Sequence, residues 1–298
     1  MDRITIIGMG PIGVSIGLGL KRTKMPNTEV VGADGDKKAL AVAYKMGAID
    51  ERSGNLRKAL DGAQLVVIDS LTPNLKELIQ SIGPVLADGC VLTDTGKDKV
   101  QVMKWAANYL NPKASFVGGR PLPRQALETI EDARETVFEG TNYCVIPTWD
   151  THPEAVETVV GMVEALGAVP FFVDPEEHDS FTAAAAHLPQ LLSAALVNVL
   201  ADDPAWKETA RMAGSEFLQM STLAGNDPDA LAESSKRNQA STTRWVDAMI
   251  TELSALKTTL CGDSDQFRDA LVRASEHRTR WMTGAEDENV VQPITSGE

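Results

Sequence analysis

Gly8, Gly10 and Gly13 stand in Gly-x-Gly-x-x-Gly spacing, and Asp34 follows about twenty residues later. The chemistry this set can do is to hold a dinucleotide. Gly8 permits a tight turn, Gly10 keeps side-chain atoms off a pyrophosphate, and Gly13 lets a helix pack closely on a strand. Met9, Pro11 and Ile12 complete the loop. An acidic group at position 34 accepts hydrogen bonds from adenosine ribose hydroxyls and repels a 2′-phosphate. NAD is therefore favoured over NADP, although Lys37 and Lys38 lie near. The pattern alone is weak: a glycine turn in another α/β protein, with Asp34 as a turn or N-cap residue, has the same letters.

A second group of chemical interest is cationic. Lys97, Lys99, Arg120 and Arg124 are close in sequence, and two guanidinium forks suit bidentate carboxylate binding. His187 lies in an apolar stretch, where it is either a proton acceptor or a buried histidine satisfied by a neighbour. Cys90, Cys144 and Cys261 are few, odd in number and far apart, so neither a disulfide framework nor a metal site is expected.

The elements that would position these groups are legible in the hydropathy pattern. Ile4–Ile7 reads as a buried strand before the glycines, and Ile12, Ile16 and Leu20 recur at helical spacing after them. Further strands are expected at 29–34, 65–68, 90–94, 115–118, 143–146 and 169–173. Helices are expected at 36–46, 74–82, 99–109 and 152–166. Residues 120–140 are less regular and read as a lid or an inserted helix. Repeated βα units of this length imply a doubly wound parallel sheet with right-handed crossovers.

After Asp174 no further strand run is convincing, and helices separated by polar breaks near 201–204 and 225–228 take over. The expected division is 1–174 for a nucleotide-binding α/β domain, 175–282 for an all-α domain, and 283–298 for a polar, disordered tail. Phe181–Leu200 has the length of a membrane span. It carries His187, Pro189, Gln190, Ser193 and Asn198, which would be costly in lipid, so it reads as a helix buried in protein on most faces. A helical half with so apolar a first helix is expected to form a homodimer. The net charge of −14 argues against nucleic-acid and membrane partners, and the start at a strand without a leader points to the cytoplasm.

Several stretches together resemble the prephenate/arogenate dehydrogenases of tyrosine biosynthesis. Gly8–Leu18 is similar to that family's opening. Val91-Leu92-Thr93-Asp94-Thr95-Gly96 with Lys99 resembles its strand ending in Asp-x-Gly-Ser-x-Lys. Phe116–Leu122 resembles its Phe-Val-Gly-Gly-His-Pro-Met, and Ala186–Gln190 its Ser-His-Leu-Pro-His. Phe217–Pro228 matches the frame of Phe-x-Asp-x-Thr-Arg-Ile-Ala-x-x-Asp-Pro. The resemblance implies an N-terminal Rossmann domain followed by a helical dimerisation domain. It also implies NAD(P)-dependent oxidative decarboxylation of prephenate or arogenate: a hydride leaves the hydroxyl-bearing ring carbon, the carboxylate departs as CO2, and the ring becomes aromatic. By the same resemblance Ser70 and Leu71, then Asp94 and Thr95, are cofactor-binding.

The departures fall on chemical positions. Arg120 replaces the histidine that pairs with the substrate hydroxyl, and Lys97 replaces the serine. Gln190 replaces the second histidine. Thr222 replaces the carboxylate-binding arginine, and Gln219 the aspartate before it. Asp69-Ser70-Leu71 stands for Ala-Thr-Pro. Arginine is no general base at ordinary pH. Three readings follow. In the first, the same reaction runs in a rebuilt site, with Lys97, Arg120 and Arg124 as carboxylate clamps, His187 or Lys97 as base, and Gln190, Gln219 and Thr222 contacting substrate. In the second, an oxidoreductase of this fold acts on another small carboxylated substrate. In the third, the protein binds nucleotide without chemistry.

Overall fold

A computed structural model describes residues 2–23, 28–69, 74–125, 127–262 and 264–283. It divides into two compact units, Met1–Pro175 and Glu176–Thr279.

The first unit alternates strands and helices. In order these are β1 (Asp2–Ile7), α1 (Pro11–Arg22), β2 (Thr28–Ala33), α2 (Lys37–Met46), β3 (Glu51–Ser53), α3 (Leu56–Leu60), β4 (Leu65–Ile68), α4 (Leu75–Ile82), β5 (Val91–Asp94), α5 (Val100–Tyr109), β6 (Ser115–Pro121), β7 (Asn142–Ile146), α6 (Pro153–Ala165) and β8 (Val169–Phe172). The eight strands form one sheet in the order β3-β2-β1-β4-β5-β6-β7-β8. Every residue of β4 and β5 is buried, as a parallel sheet covered on both faces requires. One face packs Ile6, Val67, Val117 and Val145 against α1 and α6. The other packs Val31, Val66 and Leu92 against α3, α4 and α5.

Two features differ from the sequence expectation. β3 and α3 follow α2, where no element was expected; β3 extends the sheet edge beside β2. β7 runs antiparallel to β6. Among its described residues the stretch between them forms a short capped turn at Ile130–Asp132, where the Thr129 and Asp132 side chains bond each other's backbone. Without a full crossover helix, the chain returns beside the strand it left.

The second unit is helical: α7 (Pro175–Thr182), α8 (Leu188–Ala201), α9 (Trp206–Met212), α10 (Ser215–Ser221), α11 (Pro228–Arg237), α12 (Gln239–Cys261) and α13 (Ser264–Thr283). Between α7 and α8 the turn Ala183–His187 widens, and Leu188 N–H reaches back to Ala183 O. Pro189, which has no N–H to give, follows at once. The polar residues of this segment hold its neighbours. His187 bonds Ser234 and Thr242, Ser193 Oγ accepts Ala224 N–H, and Gln190 Oε1 accepts from Asn226 Nδ2. His178 and Asp179, beside that segment, form a buried pair inside α7.

The expectation that Phe181–Leu200 is buried on most faces is corrected. The Pro175–Ala201 segment is apolar and long enough to cross a membrane, but only 17% of its most apolar window is buried within one chain. Phe181, Val199, Leu218, Met220, Ile250 and Leu253 are also exposed. The tail expectation falls outside the described residues from 284 on; Thr283 itself ends α13.

Candidate functional site

The glycine loop lies at the carboxyl end of β1, where the strand order turns from β2 on one side to β4 on the other. Ligands bind at this switch point in open α/β sheets. A cavity of about 540 Å³ opens there, lined by Gly8, Met9, Gly10, Asp34, Ser53 and Asp69 among others. Gly8 has φ +94°, which an L side chain rarely adopts. Pro11 starts α1 at the position where a missing N–H costs nothing.

The loop's N–H groups can be accounted for one by one. Gly8 N–H bonds Ala33 O, and Met9 N–H bonds Asp34 Oδ2 at 2.7 Å. Gly13 N–H bonds Asp69 Oδ2 at 2.9 Å. Gly10 and Ile12 N–H have no partner among the described residues, and these are the donors a phosphate could take. Asp34 Oδ1 accepts from Asp36 N–H, which fixes the carboxylate at the end of β2. Each oxygen keeps a second lone pair for a ribose hydroxyl. Loop, donors and acceptor therefore fit a dinucleotide.

Of the sequence-predicted cofactor residues, Gly8, Met9, Gly10 and Asp34 line the cavity. Pro11, Ile12 and Gly13 form the first turn of α1 beside it. Ser70 and Leu71 lie outside the described residues. Asp94 and Thr95, at the end of β5, are buried. Asp94 Oδ2 holds Lys99 Nζ at 2.6 Å and Gly96 N–H at 2.9 Å, and Asp94 Oδ1 accepts Gly119 N–H at 3.3 Å. This fully buried pair ties β5, β6 and the loop carrying Lys97 into one arrangement.

Lys97 and Arg120 sit at the adjoining ends of β5 and β6. Arg120 is half-buried and lies opposite Cys144 in the sheet register. Although Lys97 as a residue is exposed, protein around its ammonium removes part of the hydration. That desolvation, then the Arg120 charge, pull its pKa below the usual lysine value, with Asp98 opposing. Arg124 is exposed, and its Nη2 donates to Gly140 O at 3.1 Å. Burial pushes the Cys90 thiol up to about 11 and also raises Cys144, so neither behaves as a reactive thiolate.

In the helical unit His187 is 1% exposed. Its Nδ1 lies 3.1 Å from Thr242 Oγ1 and its Nε2 3.0 Å from Ser234 Oγ. Gln190 Nε2 donates to Ala186 O, and Thr222 Oγ1 donates back to Leu218 O. Gln219 is exposed on α10.

Sequence reasoning missed Asp69 as a site residue. It was visible only as a departure after the third expected strand. Its carboxylate contact with Gly13, 56 residues away, carries no local signal. Thr93 and Tyr143 are fully buried in β5 and β7. Their buried hydroxyls lack a hydrogen-bond partner among the described residues. Burial, then the charges of Asp94, Cys144 and Asp69, push the Tyr143 phenol far up, so it stays protonated.

Residues 16–171 match the family model of the prephenate dehydrogenase nucleotide-binding domain, and residues 174–274 match that of its dimerization domain. The chain is 26% identical over 259 residues to the prephenate dehydrogenase of Bacillus subtilis (strain 168), covering 86% of this chain and 70% of that one. Two solved structures share the fold. Synechocystis arogenate dehydrogenase has a TM-score of 0.80 at 24% identity, covering 94% of this chain and 99% of that one. The prephenate dehydrogenase from A. aeolicus in complex with hydroxyphenyl propionate and NAD+ has a TM-score of 0.86 at 23% identity, covering 94% and 98%.

Proposed function

The chain belongs to the prephenate dehydrogenase family, and on that premise we propose that it is an NAD-dependent dehydrogenase for the oxidative decarboxylation of prephenate or arogenate. The observation that carries this reading is the cavity at the switch point, where the glycine loop offers N–H donors and Asp34 a ribose acceptor. We take 1–174 as the nucleotide-binding domain and 175–282 as the substrate and dimerisation domain. When bound, NAD supplies the acceptor for the substrate's hydride.

The chain's own groups do the rest. Arg120 and Arg124 hold carboxylate through their guanidinium forks. Lys97, whose pKa is pulled below the usual lysine value by desolvation and by the Arg120 charge, is the group that takes the proton of the substrate hydroxyl. His187 has both ring nitrogens engaged by Ser234 and Thr242, and it serves by holding the helical unit's interior in place. Gln190, Gln219 and Thr222 are the helical unit's candidate substrate contacts. Asp94 and Lys99 fix the loop on which Lys97 sits. A second reading, a different small carboxylated substrate, is favoured by one observation: Lys97 and Arg120 stand where the family pattern has serine and histidine.

The exposed apolar residues of α8, α10 and α12 support a homodimer through this unit, and we take the cytoplasm as its compartment. A monomer by light scattering at micromolar concentration would contradict the dimer. Following NAD reduction with prephenate and with arogenate tests the reaction.

A further inference from the structure

Three carboxylates line the dinucleotide cavity, Asp34, Asp36 and Asp69, and no lysine or arginine does among the described residues. They differ in exposure to solvent. Asp36 is exposed and Asp34 half-buried, so water screens both. Asp69 is 1% exposed and therefore the least screened. It also sits at the positive end of a twelve-residue helix, where its Oδ2 accepts Gly13 N–H at 2.9 Å. An anion is thus already built into the helix terminus that would otherwise attract phosphate most strongly.

We infer that Asp69 makes this site select its dinucleotide by net charge, binding the oxidised cofactor in preference to the reduced one. The pyrophosphate carries two negative charges in both forms. NAD+ has a compensating positive charge on its nicotinamide, and NADH does not. A buried carboxylate in a cavity whose described lining holds no lysine or arginine disfavours NADH, which carries one further unit of negative charge. The same field disfavours any ligand bearing an added phosphate. The consequence suits an enzyme running in the oxidative direction: substrate-ready cofactor is held, and reduced cofactor is released. The inference rests on the dinucleotide reading above and adds to it a residue that reads the redox state.

Asp69→Asn is the test, because the amide oxygen still accepts Gly13 N–H while the charge is gone. Calorimetric affinities for NAD+, NADH and ADP-ribose are measured on the wild type and the variant. Loss of the charge should lower the ratio of NAD+ to NADH affinity by about 3- to 10-fold, the size of one unit charge acting across a protein-bound cofactor. ADP-ribose, which lacks the nicotinamide, should bind the variant more tightly. An unchanged ratio with intact ADP-ribose binding overturns the role of Asp69 alone. Failure of the wild type to bind ADP-ribose overturns the dinucleotide reading and this inference with it. If the variant does not fold, the wild type still decides: NAD+ must bind more tightly than NADH, and equal or tighter NADH binding overturns the inference.

Discussion

Gly13 N–H donates to Asp69 Oδ2 at 2.9 Å, which joins the first turn of α1 to the end of β4. That contact exists because position 13 has no side chain. A Cβ there would lie 2.3 Å from Gly8 O, 3.0 Å from Asp69 Oδ2 and 3.3 Å from Ile6. The nearest obstacle is backbone and cannot swing away. Gly13→Ala should therefore destabilise the first unit by about 3 kcal/mol or more and abolish nucleotide binding. Denaturant unfolding and calorimetry on the same sample check both effects.

Asp34 is held by Met9 and Asp36 N–H groups, so its carboxylate is positioned before any ligand arrives. Asp34→Ala should weaken NAD by about tenfold or more, the loss of charged hydrogen bonds to ribose. It should weaken NADP less, since the repulsion of a 2′-phosphate goes with it. Parallel titrations with the two cofactors test this, and equal loss for both would count against the assignment.

Lys97 must be neutral to accept a proton. Its pKa is lowered, so kcat/KM should rise with pH through a value below that of an ordinary lysine and level off above it. Lys97→Met should remove that rising limb and lower kcat by about 100-fold or more. Lys97→Arg keeps the positive charge but cannot give up its proton at ordinary pH, so kcat should stay low. A limb that survives in Lys97→Met would place the titrating group elsewhere.

The Asp94–Lys99 pair is 1% and 0% exposed, so neither charge has water to fall back on. Removing one partner, as in Lys99→Met, should cost about 3–5 kcal/mol. The double variant Asp94→Asn with Lys99→Met should cost less than the sum of the single changes. A double-mutant cycle by chemical denaturation measures the difference.

How far these relationships can be read from sequence depends on their range. The α/β alternation was legible because β4 and β5 are unbroken apolar runs and the helices keep their period. β3 escaped because Glu51-Arg52-Ser53 is polar and lies at the sheet edge, where only Ser53 is buried. α3 is too short to display a period. The reversal of β7 depends on how residues 122–141 connect, and a strand's composition does not encode its direction. In the site, Gly8, Gly10, Gly13 and Asp34 were legible as a spaced pattern. Asp69 was not, since its meaning comes from Gly13. The engagement of His187 by residues 47 and 55 positions away was equally hidden.

The central claim is a dehydrogenase reaction at the glycine-loop cavity. It is tested most directly by supplying NAD with prephenate or arogenate and following formation of the reduced cofactor together with release of CO2. The account predicts that one of the two substrates yields both products in equal amounts, and that Asp34→Ala reduces both together. No reduced cofactor with either substrate, while calorimetry shows NAD bound to the same preparation, would contradict it.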